Sequence, residues 1–158
     1  MPWGSPSLTP FSLTNGQGQT FVAYTTPALL PSYGVQAAAL NRVPNDVQIA
    51  SCVSASSTAD SFISQRYPLP LVAFDYDLVL RVSHVAIWMC LSNVGRNPEA
   101  GYDDQIDSRY NDAMTFLGHV QRQSANLNVL VNQPPRPLFN FPATLTSPQR
   151  GWTRRGRW

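Results

Sequence analysis

Apolar residues recur at intervals of three and four in three parts of the chain that contain no proline. Such spacing is that of one buried face of an α-helix, and proline is rarely tolerated inside a helix. The pattern therefore predicts three long helices. They cover about residues 45–66, 75–93 and 103–123.

The first of these helices is expected to be thin, because serine and alanine fill most of residues 51–59. A thin helix allows a neighbour to approach closely, either within the chain or from another subunit. Asn45 or Asp46 is the expected N-cap, since both side chains can accept hydrogen bonds from the first turn. The apolar side is formed by Ile49, Val53, Ala59, Phe62 and Ile63.

The second helix is apolar around most of its circumference, which is typical of a helix at the centre of a bundle. Asp75 and Asp77 stand at its start, where the helix dipole favours negative charge, and Gly95 is a natural stop. The third helix is amphipathic and also begins with acidic residues. They are Asp103, Asp104 and Asp107.

The remaining segments predict arms on either side of the helical part. A shorter helical piece over about residues 27–42 is expected to be capped by Thr26 and to be interrupted at Pro31 and Gly34. Residues 1–20 are rich in proline, glycine and polar residues, and residues 133–158 contain five prolines among aromatic residues. The sequence therefore predicts an all-α fold over residues 21–132, a small bundle of three long helices plus a short N-terminal helix. Extended arms are expected over residues 1–20 and 133–158.

A rigid corner is expected between the first two long helices. Its sequence is Arg66-Tyr67-Pro68-Leu69-Pro70-Leu71. Each proline fixes its own φ and pushes the preceding residue out of the helical region. The first helix should thus end near Arg66, with Tyr67 and Leu69 extended and the leucines packed toward the core.

Charge is divided unevenly along the chain. All eleven basic residues are arginine, and five of them lie in the last 26 residues, which contain no acidic residue. The first 132 residues carry six arginines and nine acidic residues, a net charge of −3. The formal net charge of +2 therefore conceals a mildly acidic body and a tail of charge +5.

Residues that could carry catalysis are few. Neither His84 nor His119 stands in a catalytic signature, and the thiols of Cys52 and Cys90 are expected to be reduced and packed inside helices. Gly16-Gln17-Gly18 lacks the lysine and the following helix of a phosphate-binding loop. We therefore expect a protein that is not an enzyme and binds no cofactor and no metal. Without an apolar run of roughly 20 residues or a secretion signal, it is expected in the cytosol and not in a membrane.

The basic and aromatic tail allows three interpretations. Guanidinium groups pair with phosphates and aromatic rings stack on bases, which suits nucleic acid. Tryptophan and arginine are equally the commonest anchors of protein interfaces, and Phe139-Asn140-Phe141 alternates as a strand added to a partner's sheet would. The third interpretation is a tail without a partner. Docking on protein is favoured, because only one end is basic and no folded nucleic-acid module accompanies it. The expected partner-binding residues are Arg136, Phe139, Phe141, Arg150, Trp152, Arg154, Arg155, Arg157 and Trp158.

Three stretches carry a family resemblance. They are Ala59-Asp60-Ser61-Phe62-Ile63 leading into the corner, Arg109-Tyr110-Asn111-Asp112-Ala113-Met114 with Leu117, and residues 24–34 ending in Tyr33-Gly34. Together with the apolar second helix they resemble the Mu-like phage head–tail joining family, and the wider group of siphophage head-completion, or adaptor, proteins. The resemblance covers about residues 21–127, and the chain departs from it in its N-terminal arm and its longer, more aromatic tail.

The resemblance implies a structural virion protein of a tailed phage. Such adaptors are helical subunits of a ring, usually of twelve copies, that sits beneath the portal and continues the DNA channel toward the tail. Their C-terminal extension commonly reaches the portal, a role that falls here on residues 134–158. The implied partners are copies of the chain, the portal protein and a tail or stopper protein, in the virion neck and in the host cytoplasm during assembly. DNA would pass through without sequence-specific binding.

One further expectation and two alternatives accompany this interpretation. The acidic start of the third helix, with Asp103, Asp104 and Asp107, could face the channel, where negative charge lets DNA slide without sticking. The alternatives are a nucleic-acid-binding protein acting through the basic tail and a small regulatory helical protein with no place in the virion.

Overall fold

Three long helices carry the core of the computed structural model, which describes residues 8–35, 37–94 and 102–131. They are α2 (Asn45–Ile63), α3 (Tyr76–Val94) and α4 (Tyr102–Gln121). The described part also holds β1 (Phe11–Thr14), β2 (Thr20–Ala23), a 3-10 helix (Leu30–Tyr33), the single turn α1 (Ala37–Leu40), β3 (Ala73–Phe74) and β4 (Val129–Leu130). The three predicted long helices are confirmed, with ends that differ by a few residues.

The middle helix of the bundle is α3. It packs against α2, α4 and the 3-10 helix, as its apolar circumference indicates. Leu78, Val79, Val82 and Val85 are all buried along it. The core therefore lies around α3, and the other elements cover it.

The small side chains of α2 allow other elements of the same chain to pack closely against it. Ser51, Cys52, Ala55 and Ser56 are buried, and the helix packs against α3, α4 and β2. The backbone N–H of Tyr24, next to β2, donates a hydrogen bond of 2.9 Å to the hydroxyl of Ser56. A larger side chain in place of Ser56 would remove this bond and keep the end of β2 from approaching.

The start of α2 differs from the expectation. Its N-cap is Pro44, without a side-chain cap, so neither Asn45 nor Asp46 caps the helix. The carboxylate of Asp46 instead accepts a hydrogen bond of 3.0 Å from the N–H of Gly16. The N–H of Gly16 thus takes the place that N–H groups of the first helical turn would have as partners of Asp46. The bond also connects the hairpin turn to α2.

The all-α prediction needs correction, because the described residues include two small antiparallel sheets. In the first, β1 pairs with β2 from Phe11 opposite Ala23 to Thr14 opposite Thr20. The side chain of Asn15 closes the turn by accepting hydrogen bonds from the N–H groups of Gln17 and Gln19. The predicted arm over residues 1–20 thus contains half of a hairpin, and its expected boundary falls inside that hairpin.

The second sheet is built around β3. This strand pairs with β4 on one side, Ala73 opposite Leu130 and Phe74 opposite Val129, and with Leu8 on the other. Leu8 and Phe74 exchange backbone hydrogen bonds of 3.0 and 2.8 Å. Strands of two residues are too short to show an alternating pattern, which is why the sequence does not predict them.

The short helical piece expected over residues 27–42 is broken in two. The 3-10 helix ends at Gly34, whose φ of 98° lies in the left-handed region, and α1 begins at Ala37. Pro31 stands in the first turn of the 3-10 helix, where its missing N–H costs nothing. Thr26 does not cap a continuous helix here.

Candidate partner-binding surface

The corner between α2 and α3 has one buried and one exposed side. Tyr67 and Leu71 are buried, and the peptide bond between Leu69 and Pro70 is cis. Leu69, by contrast, is 37% exposed, so only one of the two leucines packs inward as expected. The helix ends at Ile63, and hydrogen-bonded turns carry the chain to Tyr67.

The first two corner residues hold the segment that follows α4. The guanidinium of Arg66 donates a hydrogen bond of 2.7 Å to the carbonyl of Ala125 and another to the side chain of Asn126. The hydroxyl of Tyr67 accepts a hydrogen bond of 3.3 Å from the buried N–H of Leu127. These contacts join residues about sixty positions apart and direct the chain into β4.

Both arms begin at this corner. Leu8, which follows the first seven residues, and β4, which precedes the C-terminal tail, lie on opposite sides of β3. We call the surface formed by Leu8, residues 66–76 and residues 125–131 the corner end. The N-terminal residues and the tail therefore start next to each other, at one end of the bundle.

Exposed apolar side chains are concentrated at the corner end. Leu69, Tyr76 and Leu130 are 37%, 65% and 53% exposed, and the other large exposed apolar residue of the described part is Val22. Single exposed apolar residues are ordinary on a protein surface, whereas a group of them marks a contact site. Beside them, Asp75, Asp77 and residues 126–128 line an open cavity of about 750 Å³.

The predicted tail residues lie outside the described part of the chain. They are Arg136, Phe139, Phe141, Arg150, Trp152, Arg154, Arg155, Arg157 and Trp158, and the side chain of Asp103 also lies outside it. The structure therefore shows where the tail begins, at Val131, and does not describe the contacts of the tail.

The acidic start of α4 divides into residues with different surroundings. Asp104 is exposed. Asp107 is half-buried and accepts a hydrogen bond of 2.8 Å from the indole N–H of Trp88, whose ring stacks on Tyr110 at 4.4 Å. Asp107 thus takes part in the contact between α3 and α4, whereas Asp104 is exposed on the surface.

A tyrosine and a carboxylate meet between β2 and α2. The hydroxyl of Tyr24 donates a hydrogen bond of 2.5 Å to Asp60. Burial raises the pKa of both groups, and the bond from Tyr24 partly offsets the effect on the pKa of Asp60. This pair ties the hairpin to the last third of α2, and the ring of Tyr24 also packs edge-on against Phe74.

The two cysteines are buried free thiols, Cys52 on α2 and Cys90 on α3. Burial, with Cys90 nearby, raises the pKa of Cys52 to about 12, and burial also raises the pKa of Cys90. A thiol with a raised pKa is a poor nucleophile. Their environment therefore gives both thiols the character of packed apolar groups.

Acidification below about pH 6.5 is expected to destabilise the fold through His84. Its Nδ1 atom is buried without a hydrogen-bond partner among the described residues. Burial, followed by the charges of Arg109 and Arg81, lowers the pKa of His84 below 6.5, although Asp112 and the backbone of Tyr33 oppose this. The unfolded chain then binds the proton at a higher pH than the folded chain, so the free energy of unfolding falls as the pH drops through 6.5.

Urea unfolding of the native protein and of His84→Gln between about pH 7 and pH 5 checks this prediction. The native protein should lose more stability than the variant over that range. Asp60 acts in the opposite direction, because its raised pKa makes the folded chain bind a proton more readily as the pH falls. Since Asp60 is present in both proteins, equal pH slopes would show that His84 does not contribute.

The stretches that carry the sequence resemblance meet in the fold. The guanidinium of Arg109 donates a hydrogen bond of 2.9 Å to the carbonyl of Gly34, seventy-five residues earlier. Ala59, Ile63 and Tyr67 are buried in the common core. The matching residues are thus the ones that connect α2, the corner, the 3-10 helix and α4.

Two absences hold for the part of the chain that the structure describes. No group of three or more histidine, cysteine, aspartate or glutamate residues there could hold a metal ion. None of its helices combines the length and the apolar character needed to cross a membrane.

Comparison with known proteins identifies a family for this chain. The family described as Bacteriophage Mu, Gp36 matches residues 31–138, from the 3-10 helix through β4 and into the tail. The search of curated proteins found no match. The matched region is more than two thirds of the chain and includes the whole of the corner end except Leu8. The chain therefore belongs to the phage family described as Bacteriophage Mu, Gp36.

Proposed function

We propose that this chain is a structural virion protein of a tailed phage, a head–tail adaptor that joins the portal to the tail and continues the DNA channel. It acts as one subunit of a ring, with about twelve copies as in the adaptors that it resembles. Its work is mechanical: a helical body separates two partners, and its arms hold them. Membership of a phage family supports the proposal that the chain is a phage protein.

One observation carries the proposal: both arms and three exposed apolar side chains share the corner end. β3 holds Leu8 on one side and β4 on the other, so the arms start together. Leu69, Tyr76 and Leu130 lie exposed around that point. A surface of this composition next to two extensions suits a partner that the arms clasp.

The tail supplies the main anchors of the proposal. Trp152 and Trp158 would fill apolar slots on the portal, and Arg154 and Arg155 would pair with its acidic groups. Arg136, Arg150 and Arg157 add positive charge along the same segment. Because a ring presents many tails to repeated sites, weak single contacts combine into strong binding.

Mixing with purified portal tests the proposal. The protein alone is expected to have a low mass by light scattering and to join a large complex when portal is added. The variant Trp152→Ala/Arg154→Ala/Arg155→Ala/Trp158→Ala should lose the complex, with binding weakened at least 100-fold. A matched control, Arg42→Ala/Arg122→Ala, removes two exposed arginines from the described body and should bind as the native chain does. Equal binding of native chain and tail variant would contradict the proposal.

The basic tail also favours a second candidate, binding to nucleic acid. Five arginines without a nearby acid would release counterions from DNA, so binding should fall steeply between about 50 and 200 mM salt. In the adaptor account, portal binding persists when DNA is present. DNA binding that requires the tail and excludes portal would favour the second candidate.

A further inference from the structure

An open groove crosses the outer face of α2, between the β1–β2 hairpin and the end of α3. We call it the α2 groove, and it has two lobes. One, of about 520 Å³, is lined by Val47, Trp88 and Met89 among others, and the second, of about 290 Å³, by Phe21, Ile49 and Val53. The residues that line both lobes are Asp46, Ala50 and Ser54.

The lining of the α2 groove is suited to apolar rings on a basic segment. Aromatic, aliphatic and thioether side chains form half of its lining and polar side chains the other half, and Ala50 and Ser54 keep the ridge between the lobes low. Asp46 is the one charged residue among those that line it, and no basic residue does. Residues 132–141 contain one arginine, Arg136, and no acidic residue, so their charge would meet no repulsion there.

A strip of small residues leads from the corner end to the groove. Ser64, Ser61, Ser57 and Ser54 are exposed at intervals of three and four, which places them on one face of α2. From Ile63 to Ala50, at the middle of the groove, α2 rises about 20 Å. The strip leaves room for an extended chain to lie against the helix.

The tail has the right length and pattern to reach the groove from its root. Val131 lies at the corner end, and the prolines at 134, 135 and 137 favour an extended chain. At about 3.1 Å per residue, the eight residues from Val131 to Phe139 span about 25 Å. Alternation along an extended segment puts the rings of Phe139 and Phe141 on one side, about 7 Å apart.

We propose that Phe139 and Phe141 occupy the two lobes of the α2 groove of their own chain, with residues 132–138 lying along the serine face of α2. The tail is then fastened to its own subunit as far as Phe141, and the residues beyond Pro142 remain available to the portal. The rings of Phe139 and Phe141 thus bind within their own subunit, whereas Trp152 and Trp158 bind the portal. The inference concerns the free subunit and holds whether or not the adaptor role does.

Photocrosslinking in the full chain tests this assignment. p-Benzoylphenylalanine in place of Phe139 keeps an aromatic ring and reacts with whatever surrounds it. Mass spectrometry of the digested monomer should find crosslinks to residues 46–54 or 88–93. Ala50→Arg fills the ridge between the lobes and should lower their yield at least fivefold, whereas Gln105→Arg, an exposed position on α4, should leave it unchanged.

The outcomes separate the possible occupants. Crosslinks found only in covalent dimers would assign the groove to a second copy and overturn the proposal. Crosslinks to other elements, or a yield that Ala50→Arg leaves unchanged, would overturn it as well. If Ala50→Arg melts below the native protein, Ser54→Arg provides the same block one turn later. Portal is absent from the experiment, so its result is independent of the proposed function.

Discussion

Replacing Phe74 by alanine is expected to lower the free energy of unfolding by about 3–5 kcal/mol. Phe74 is fully buried, and its ring packs edge-on against Tyr24 at 5.1 Å. Its backbone pairs with both Leu8 and β4. The substitution leaves a cavity at the point where β3 holds the starts of both arms, so it should loosen the corner end as well as the core.

Urea unfolding followed by circular dichroism measures this effect. Leu69→Ala is the control, because Leu69 belongs to the same corner and is 37% exposed, and it should cost less than about 1 kcal/mol. Hydrogen exchange should show faster exchange at Leu8 and Val72 in Phe74→Ala, since their N–H groups bond to this sheet. A cost below 1 kcal/mol for Phe74→Ala would contradict the buried position of its ring.

Gly34→Ala is expected to cost about 2–4 kcal/mol, the second-largest effect on stability. Gly34 has a φ of 98°, where a side chain is strained. A Cβ atom there would also lie 1.8 Å from a guanidinium nitrogen of Arg109, the nitrogen that donates to the carbonyl of Gly34. Arg109 would have to move, and its charged hydrogen bond would be lost.

Gly18→Ala separates the effect of backbone strain from that of the contact with Arg109. Gly18 also has a positive φ, of 77°, but nothing lies within 4 Å of the position that its Cβ would take. Its substitution should cost about 1 kcal/mol through backbone strain alone. Equal losses in thermal unfolding for the two variants would show that the contact between Gly34 and Arg109 adds nothing.

The long helices could be predicted from the sequence because each has a long periodic pattern bounded by prolines. The 3.6-residue period of α4 and the apolar circumference of α3 fix both the element and its place in the bundle. The N-cap of α2 could not be predicted, since the partner of Asp46 is Gly16, thirty residues earlier. Capping rules consider only residues that are neighbours in sequence, so they do not predict a contact with a distant residue.

The hairpin is a different case, because a signal for it is present in the sequence. Asn15-Gly16 stands between Phe11–Thr14, which alternates apolar and polar residues, and Thr20–Ala23, which is rich in residues that favour strands. A loop of five residues that contains glycine, between two such segments, is a hairpin signal. The many glycines and polar residues of residues 1–20 favour an arm by composition, and this composition hides the hairpin signal.

The corner motif was predictable as a bend, but its connection to the tail was not. The prolines fix the direction of the chain locally. The bonds from Arg66 to Ala125 and from Tyr67 to Leu127 depend on the tertiary fold, as does the place of Leu8 beside β3. A corner whose direction two prolines fix therefore stands beside the points where both arms begin.

Cryo-electron microscopy of the phage neck tests the adaptor role most directly. The account predicts a ring of this chain directly beneath the portal, with Leu69, Tyr76 and Leu130 turned toward the portal and Asp104 toward the channel. The residues of each tail beyond Pro142 would lie on the portal surface. Particles whose neck contains no copy of the chain, or a ring with the corner end turned to solvent, would contradict it.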